Sequence, residues 1–209
     1  MEKVKNLLFD LGNVVIEWES TRMEYSFKQL LGDQFNGTWQ HFKTQSLFEK
    51  YEVGAITTNQ FRNEIKKASG LNLENEAINK AWNSGLGSIE TKTIDLMLKA
   101  QPEYHTMVLS NINDLHEARF NKTLLAASGH ANLTSVVHEF YMSHHINERK
   151  PNLAIYQHVI ENSKIDPNET LFIDDLSENL AAAEKLGFQT EQATKQNTVE
   201  VVFEKRKLL

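Results

Sequence analysis

Short apolar runs that alternate with amphipathic segments place the strongest constraint on the fold of this chain. The runs have the length of buried strands and occupy residues 4–9, 106–109, 140–143 and 170–173. Apolar residues at helical spacing follow the last three of them, at about 114–127, 152–163 and 178–186. Strands that alternate with helices normally pair in parallel. The pattern therefore predicts the α/β class, with a Rossmann-like three-layer core built on a parallel sheet.

The block behind the first apolar run has a different pattern. Its apolar residues recur at helical spacing, as Phe27, Leu30 and Leu31 do, and turns that contain Gly or Asn separate the segments. Residues 20–100 give no strand pattern. We expect a core domain formed by residues 1–16 and 100–209, with an inserted all-helical cap domain formed by residues 17–99. A ligand should then bind at the carboxyl ends of the strands, beneath the cap.

Charge and composition narrow the classes of function. The net charge of −6 argues against a broad basic face for nucleic acid. The absence of cysteine excludes disulfides, thiolate nucleophiles and Cys-based metal sites. We find no signal peptide and no membrane-spanning run, so we expect a cytoplasmic protein without a membrane partner. No heptad pattern predicts an oligomeric state.

Polar side chains stand where the predicted strands and loops meet one edge of the sheet. They are Asp10, Ser110 with Asn111, Lys150, and Asp174 with Asp175. Three neighbouring carboxylates repel one another, and a divalent cation removes that repulsion. Oxygen ligands favour Mg²⁺, and Mg²⁺ with a lysine leaves a positive hole that suits a phosphoryl group. The sequence thus predicts phosphoryl transfer to a carboxylate nucleophile.

Four sequence segments resemble the ordered motifs of the haloacid dehalogenase superfamily. They are Asp10-Leu11-Gly12-Asn13-Val14, Leu109-Ser110-Asn111, Arg149-Lys150-Pro151, and the run from Phe172 to Asn179. The first motif is similar to that of bacterial sugar-phosphatase-like members, which include glucose-1-phosphate phosphatases. The helical insertion resembles the small α-helical cap of that superfamily, and Tyr51-Glu52-x-Gly54-x-Ile56 resembles a signature of such caps.

The resemblance implies a role for each matching residue. Asp10 would be the nucleophile that forms an aspartyl-phosphate, while Ser110 and Lys150 would hold the phosphoryl group. Mg²⁺ would bind Asp10, Asp175, the backbone carbonyl of Gly12 and, directly or through water, Asp174. Asn111 and Asn179 would tie the loops together. The implied contacts to phosphate or substrate come from Leu11, Gly12, Trp18, Ser110, Asn111 and Lys150.

Gly12 is the one departure from the family pattern. Most phosphatases of the family carry a second Asp at this position as a general acid and base, and Gly has no side chain. The loss of that group typically costs about 10²–10⁴-fold in rate. Three consequences stay open. The enzyme is slow, a cap residue such as Glu17 or Glu19 supplies the proton, or the substrate has a good leaving group, as a sugar C1-phosphate has.

The first functional hypothesis is a Mg²⁺-dependent phosphatase of small phosphorylated metabolites, with sugar phosphates as one class. The alternatives are a catalytically weakened scaffold that binds phosphate or a protein partner, and a hydrolase of carbon–halogen bonds. A sugar phosphomutase is less favoured, because reversible transfer needs the acid and base that Gly12 lacks. The pair Asp174-Asp175 argues against the dehalogenase.

Two further groups have both a structural and a functional interpretation. Trp18, Trp39 and Trp82 are interpreted mainly as core packing, with Trp18 the best candidate for lining a substrate pocket. His144 and His145, with His138 upstream, are interpreted as part of a polar loop rather than as a metal site.

Overall fold

The computed structural model describes residues 3–209, and a five-stranded parallel sheet lies at the centre of this part of the chain. Its strands are β1 (Asn6–Phe9), β4 (His105–Ser110), β5 (Glu139–Met142), β6 (Thr170–Asp174) and β7 (Gln189–Gln192), in the order β5-β4-β1-β6-β7. The order reverses between β1 and β6, which is where open α/β sheets form a ligand crevice. The predicted parallel α/β sheet is confirmed.

Helices cover both faces of the sheet. On one face lie α6 (Thr91–Ala100), α7 (Asp114–Ser128) and α11 (Val199–Arg206), packed on Leu7 and Phe9. On the other lie α9 (Leu153–Ser163) and α10 (Ser177–Glu184), packed on Leu8. Successive β1 side chains alternate between the two faces, as the pleat requires. All three side chains are fully buried, which explains the continuous apolar run.

A second apolar core holds the helical insertion together. Its helices are α1 (Ser20–Leu31), α2 (Phe35–Thr44), α3 (Leu47–Glu52), α4 (Thr58–Ser69) and α5 (Asn75–Asn83), with a 3₁₀ turn at Gly32–Gln34. Trp82 lies at the centre of an aromatic cluster, with Phe61 4.7 Å and Phe48 4.9 Å away between ring centroids. Trp39 and Trp82 are both buried here, in agreement with the packing interpretation of these two residues.

The insertion also contains strands, which the sequence pattern did not predict. The segments β2 (Ile16–Trp18) and β3 (Leu86–Ile89) pair antiparallel and form the two-stranded ribbon that leads into and out of the helical block. Gly85 permits this close pairing, because a Cβ there would lie 2.5 Å from the Trp18 ring. A four-residue run with one glycine and one buried residue has no recognisable strand pattern, which explains why the sequence did not predict it.

The boundary between core and cap stays a prediction. The packing favours an end of the cap near β3 rather than at residue 99, since α6 contributes Ile94, Met97 and Ala100 to the core beside β1.

The remaining helix, α8 (Ser143–Ile146), is a single turn that follows β5 directly. Every helix within residues 3–209 is too short or too polar to cross a bilayer.

Candidate active site

Three parallel strands deliver polar residues to one edge of the sheet. Asp10 follows β1, Ser110 ends β4 and Asp174 ends β6, and both neighbours of β1 carry one of these residues. The backbone N–H of Asp10 donates to the carbonyl of Ile173 at 2.8 Å, which continues the sheet pairing to the site. All three side chains are buried. The predicted convergence at the carboxyl ends of the strands is therefore present.

Lys150 lies between two of the carboxylates. Its Nζ donates to Asp10 Oδ1 at 2.5 Å, to Asp174 Oδ2 at 2.7 Å and to the carbonyl of Leu109 at 2.9 Å. An ammonium group has three N–H bonds, so these contacts use all of them. Burial by itself would lower the pKa of Lys150, but the two carboxylates raise it above its ordinary value. The lysine therefore carries its charge inside the protein.

Asn111 holds the loop that carries Lys150. Its side-chain amide donates to the Lys150 carbonyl at 3.0 Å, and its oxygen accepts from the Lys150 backbone N–H at 2.9 Å. Both ends of the amide are thus engaged with one backbone segment, which ties the loop to the end of β4. This arrangement favours a positioning role for Asn111 over the predicted contact with phosphate, which stays a prediction.

Asp174 and Asp175 have different environments although they are adjacent. Asp174 is fully buried and accepts hydrogen bonds from Asn179, from the Leu176 backbone N–H and from Lys150. Asp175 faces the cavity and accepts from Asn13 at 2.9 Å. Asp174 therefore orients the lysine, while Asp175 keeps oxygen lone pairs for a ligand. Asn179 ties Asp174 to α10, as expected of a loop-tying residue.

The donor set fits a hard divalent cation. Asp10, Asp174 and Asp175 each offer a carboxylate oxygen, and these oxygens lie within 4.8 Å of one another. Burial raises the pKa of Asp10 to about 7, and Asp174 adds to the rise, while Lys150 opposes it. Burial also raises the pKa of Asp175 above its ordinary value. The site thus holds more negative charge than one lysine can balance, and Mg²⁺ with its preference for oxygen ligands would balance it.

A cavity of about 460 Å³ lies above these residues, and cap residues line part of its wall. Leu11, Gly12, Ser110, Asn111 and Lys150 line its base, and Trp18 lines its wall, so the predicted substrate-contact residues share one space. Glu19 lines the same cavity. Glu17 lies elsewhere, in an ion pair with Arg22 at 3.1 Å beside a second cavity. Of the two glutamates considered as proton donors, only Glu19 reaches the site.

Three ionisable residues that line the cavity had no role predicted from the sequence. Glu52, from the end of α3, pairs with Arg149 at 3.1 Å. Burial raises the pKa of Glu52 to about 7, with Arg149 opposing the rise. Both residues stand in motifs already recognised, Glu52 in the cap signature and Arg149 beside Lys150. Their positions in these motifs were the signal that could have pointed to a role in the site.

His116 is the third of these residues and had no sequence signal. Its ring stacks on Trp82, with 4.8 Å between centroids, and meets the edge of Trp18 at 5.2 Å. Burial lowers the pKa of His116 to about 4, so the ring is neutral at physiological pH. The Trp18 and His116 rings together give the cavity an aromatic wall.

Comparisons with known proteins agree with this geometry. The family described as haloacid dehalogenase-like hydrolase matches residues 27–193. The D-ribitol-5-phosphate phosphatase of Bacteroides thetaiotaomicron is 27% identical over 190 residues, which cover 90% of this chain and 91% of that protein. A crystal structure of a haloacid dehalogenase family enzyme from the same organism superposes with a TM-score of 0.90 at 31% identity, over 97% of this chain and 99% of that one. A second structure of that enzyme, in complex with magnesium and inorganic phosphate, gives a TM-score of 0.84 at 32% identity over 96% and 99% of the two chains.

Proposed function

Because the chain belongs to the haloacid dehalogenase-like hydrolase family, we propose that it is a Mg²⁺-dependent phosphatase that hydrolyses a sugar or polyol phosphate through an aspartyl-phosphate on Asp10. The observation that carries the proposal is the buried Asp10 carboxylate, which faces the cavity beside Lys150 and within reach of Asp175. The similar phosphatase named for a polyol phosphate supports the substrate class. The compartment remains the cytoplasmic prediction made from the sequence.

The first half-reaction transfers the phosphoryl group to the chain. An Asp10 carboxylate oxygen attacks phosphorus, the phosphorus–oxygen bond to the substrate breaks, and the leaving oxygen takes up a proton. Ser110 binds a non-bridging oxygen, and the charge of Lys150, which already contacts Asp10, stabilises the transferring phosphoryl group. In the second half-reaction water attacks the same phosphorus, inorganic phosphate leaves, and the Asp10 carboxylate is restored.

Mg²⁺, when bound, supplies positive charge that offsets the charge on the transferring phosphoryl oxygens. Asp10, Asp175 and the Gly12 backbone carbonyl would hold it. Asp174 would act mainly by orienting Lys150, because Lys150, Asn179 and the Leu176 N–H already engage its oxygens. The same cation would lower the pKa of Asp10 and keep the nucleophile ionised.

The leaving oxygen still needs a proton, and position 12 cannot provide one. Glu52 lines the cavity, and its pKa of about 7 leaves much of this carboxyl group protonated at neutral pH. Such a pKa suits a general acid near its working pH. We assign proton delivery to the cap carboxyl groups, with Glu52 ahead of Glu19.

The cap side of the cavity suits a polyhydroxylated substrate. Glu19, Ser20, Glu52 and Arg149 offer donors and acceptors for hydroxyl groups, and Trp18 offers a flat apolar face. A sugar or polyol presents hydroxyl groups together with C–H surface, so it matches both parts of this lining.

The activity is tested by phosphate release from an aryl phosphate and from a panel of pentitol, pentose and hexose phosphates, with Mg²⁺ and with a chelator. We expect release that requires Mg²⁺, with the highest kcat/KM for a polyol or sugar phosphate. An Asp175→Asn variant should need a higher Mg²⁺ concentration for half-maximal rate. Phosphate binding without release would instead support the weakened scaffold, and halide release from a 2-haloacid would support the dehalogenase.

Replacement of Gly12 tests whether the cap carboxyl groups deliver the proton to the leaving oxygen. A Cβ at this position would lie 3.6 Å from Trp18 and 3.8 Å from Asp10 Oδ2, which are ordinary contacts, so Gly12→Asp should fold. Because Glu52 already delivers the proton, we expect Gly12→Asp to leave the rates for alkyl, sugar and aryl phosphates within about threefold of wild type; an enzyme without a proton donor would instead gain most with basic alkyl and sugar leaving groups.

The control for this prediction is Gly12→Asn, which adds similar volume without a transferable proton. The measurement is the slope of log kcat/KM against leaving-group pKa for the three proteins. Equal slopes are expected, and a slope of Gly12→Asp clearly shallower than those of wild type and Gly12→Asn would contradict proton delivery by the cap carboxyl groups.

A further inference from the structure

A second group of metal-ligating side chains lies outside the cavity, where the first turn of α7 meets α8. Glu117, His144 and His145 each offer one ligand atom, and the three atoms lie within 4.8 Å of one another. The two imidazole rings are adjacent, with 4.1 Å between centroids. The structure corrects the loop interpretation of these histidines, since residues 143–146 form a helical turn and His144 is buried.

The hydrogen bonding of His144 leaves one ring nitrogen without a partner. Its Nδ1 lies 2.8 Å from the carbonyl oxygen of Ile112, and because a carbonyl can only accept, Nδ1 carries the hydrogen. In the neutral ring Nε2 therefore presents a lone pair. The His144 side chain is only 4% exposed, and within residues 3–209 this atom approaches the Glu117 carboxylate, whose pKa it lowers, without full hydrogen-bond geometry.

Carboxylates surround that lone pair. His144 Nε2 lies 3.4 Å from Glu117 Oε2 and 3.7 Å from Asp114 Oδ1. A buried lone pair that faces carboxylate oxygens is unfavourable unless a positive group stands between them. Either a proton on Nε2 or a bound cation meets that need.

The position of His145 favours a bound cation over a proton on Nε2. A proton on Nε2 would engage His144 and a carboxylate only, and would leave out His145, whose ring lies 4.1 Å from that of His144. A metal ion uses all three groups. We propose that Glu117, His144 and His145 form a second divalent-metal site, which takes a transition-metal ion such as Zn²⁺ and is separate from the carboxylate site for Mg²⁺.

The types of ligand atom, and the carbonyl group that orients His144, fit Zn²⁺. Two imidazole nitrogens and one carboxylate oxygen, with a position left for water, form a common ligand set of this ion, whereas Mg²⁺ selects oxygen. Tetrahedral zinc ligands stand about 3.4 Å apart, so small rotations of the more exposed Glu117 and His145 side chains bring the group together. The Ile112 carbonyl plays the part of the outer acceptor that commonly orients a ligating histidine.

The site would fasten a contact between core and cap. The His144 carbonyl oxygen packs against Gly54, where an added Cβ would come within 2.4 Å of that oxygen. The Ser143 hydroxyl lies 2.5 Å from the carbonyl oxygen of Glu52. A metal that fixes α8 to α7 would thus also steady the chain segment that brings Glu52 to the cavity.

The test is a Zn²⁺ titration of the metal-free protein in competition with a chromophoric chelator. We expect wild type to bind one equivalent that Asp175→Asn retains, because that variant alters only the carboxylate site. His145→Gln and Glu117→Gln should each weaken the same equivalent by at least about tenfold. His130→Gln is the matched control and should bind as wild type does. His145 is exposed, so its replacement is expected to leave the thermal unfolding midpoint in chelator unchanged.

Two results would overturn the proposal. One is a wild-type protein that binds no equivalent beyond the one lost in Asp175→Asn. The other is an unchanged affinity in both His145→Gln and Glu117→Gln. Neither result depends on phosphatase activity, so the metal site and the proposed function can fail independently.

Discussion

Replacement of Asp10 by Asn is expected to reduce kcat by more than about 10⁴-fold, the scale on which removal of an active-site nucleophile acts. The amide has nearly the shape of the carboxylate but is a far weaker nucleophile, and it removes one charge from the Mg²⁺ site. The fold should persist, because Lys150 keeps Asp174 and the Leu109 carbonyl as partners. Steady-state phosphate release with saturating Mg²⁺ measures the effect.

The matched control is Asp95→Asn on the exposed side of α6, which should keep wild-type kinetics. Circular dichroism and the thermal midpoint of Asp10→Asn would establish that it is folded. A folded Asp10→Asn protein with the wild-type Mg²⁺-dependent rate would show that another residue attacks phosphorus.

Replacement of Lys150 by Met is expected to abolish turnover and to destabilise the fold. The variant removes the cation between two buried carboxylates, and breaking a buried ion pair in this way typically costs about 3–5 kcal/mol. Urea unfolding in the presence of a chelator measures the free energy of unfolding. Lys92→Met removes an exposed pair of Lys92 with Glu200 and should cost less than about 1 kcal/mol.

The loss of folding stability in Lys150→Met should depend on pH. Without the lysine, the pKa of Asp10, which burial already raises to about 7, rises further above its value in the unfolded chain. The folded state then binds more protons than the unfolded state between those values, so stability increases as the pH falls. We expect a smaller deficit relative to wild type at pH 5 than at pH 8. A deficit that is negligible at both pH values would contradict a charged, buried Lys150.

The sequence allowed the floor of the site to be predicted because two simple rules act there. An apolar run marks a buried strand, and parallel strands end at one edge, so Asp10, Ser110 and Asp174 had to meet. Lys150 does not follow a strand in this way. Its place was implied by motif resemblance and depends on the Asn111 amide, a contact between residues 39 positions apart.

The walls of the site could not be predicted in the same way. Glu52 and His116 reach the cavity only because the cap folds over the core, and no periodicity encodes that contact. His116 in particular is fixed by its stacking on Trp82, which is 34 residues earlier in the chain. Local pattern alone does not contain such long-range packing.

Three strands, β2, β3 and β7, were missed for physical reasons of the same kind. The edge strand β7 reads Gln-Thr-Glu-Gln, and it pairs through its backbone with β6 while none of its side chains is fully buried. In β3 Gly87 weakens the pattern, and pairing with β2 holds the strand. Backbone pairing at an edge leaves little trace in hydrophobicity.

Acid quenching with peptide mass spectrometry tests most directly whether Asp10 carries the phosphoryl group during turnover. Wild-type protein mixed with Mg²⁺ and an aryl phosphate, then quenched in acid within a turnover, should yield the peptide that contains Asp10 with the added mass of one phosphoryl group. Asp10→Asn under the same conditions should yield only the unmodified peptide. Continued turnover of the wild type with the phosphoryl group on a different peptide would contradict the account.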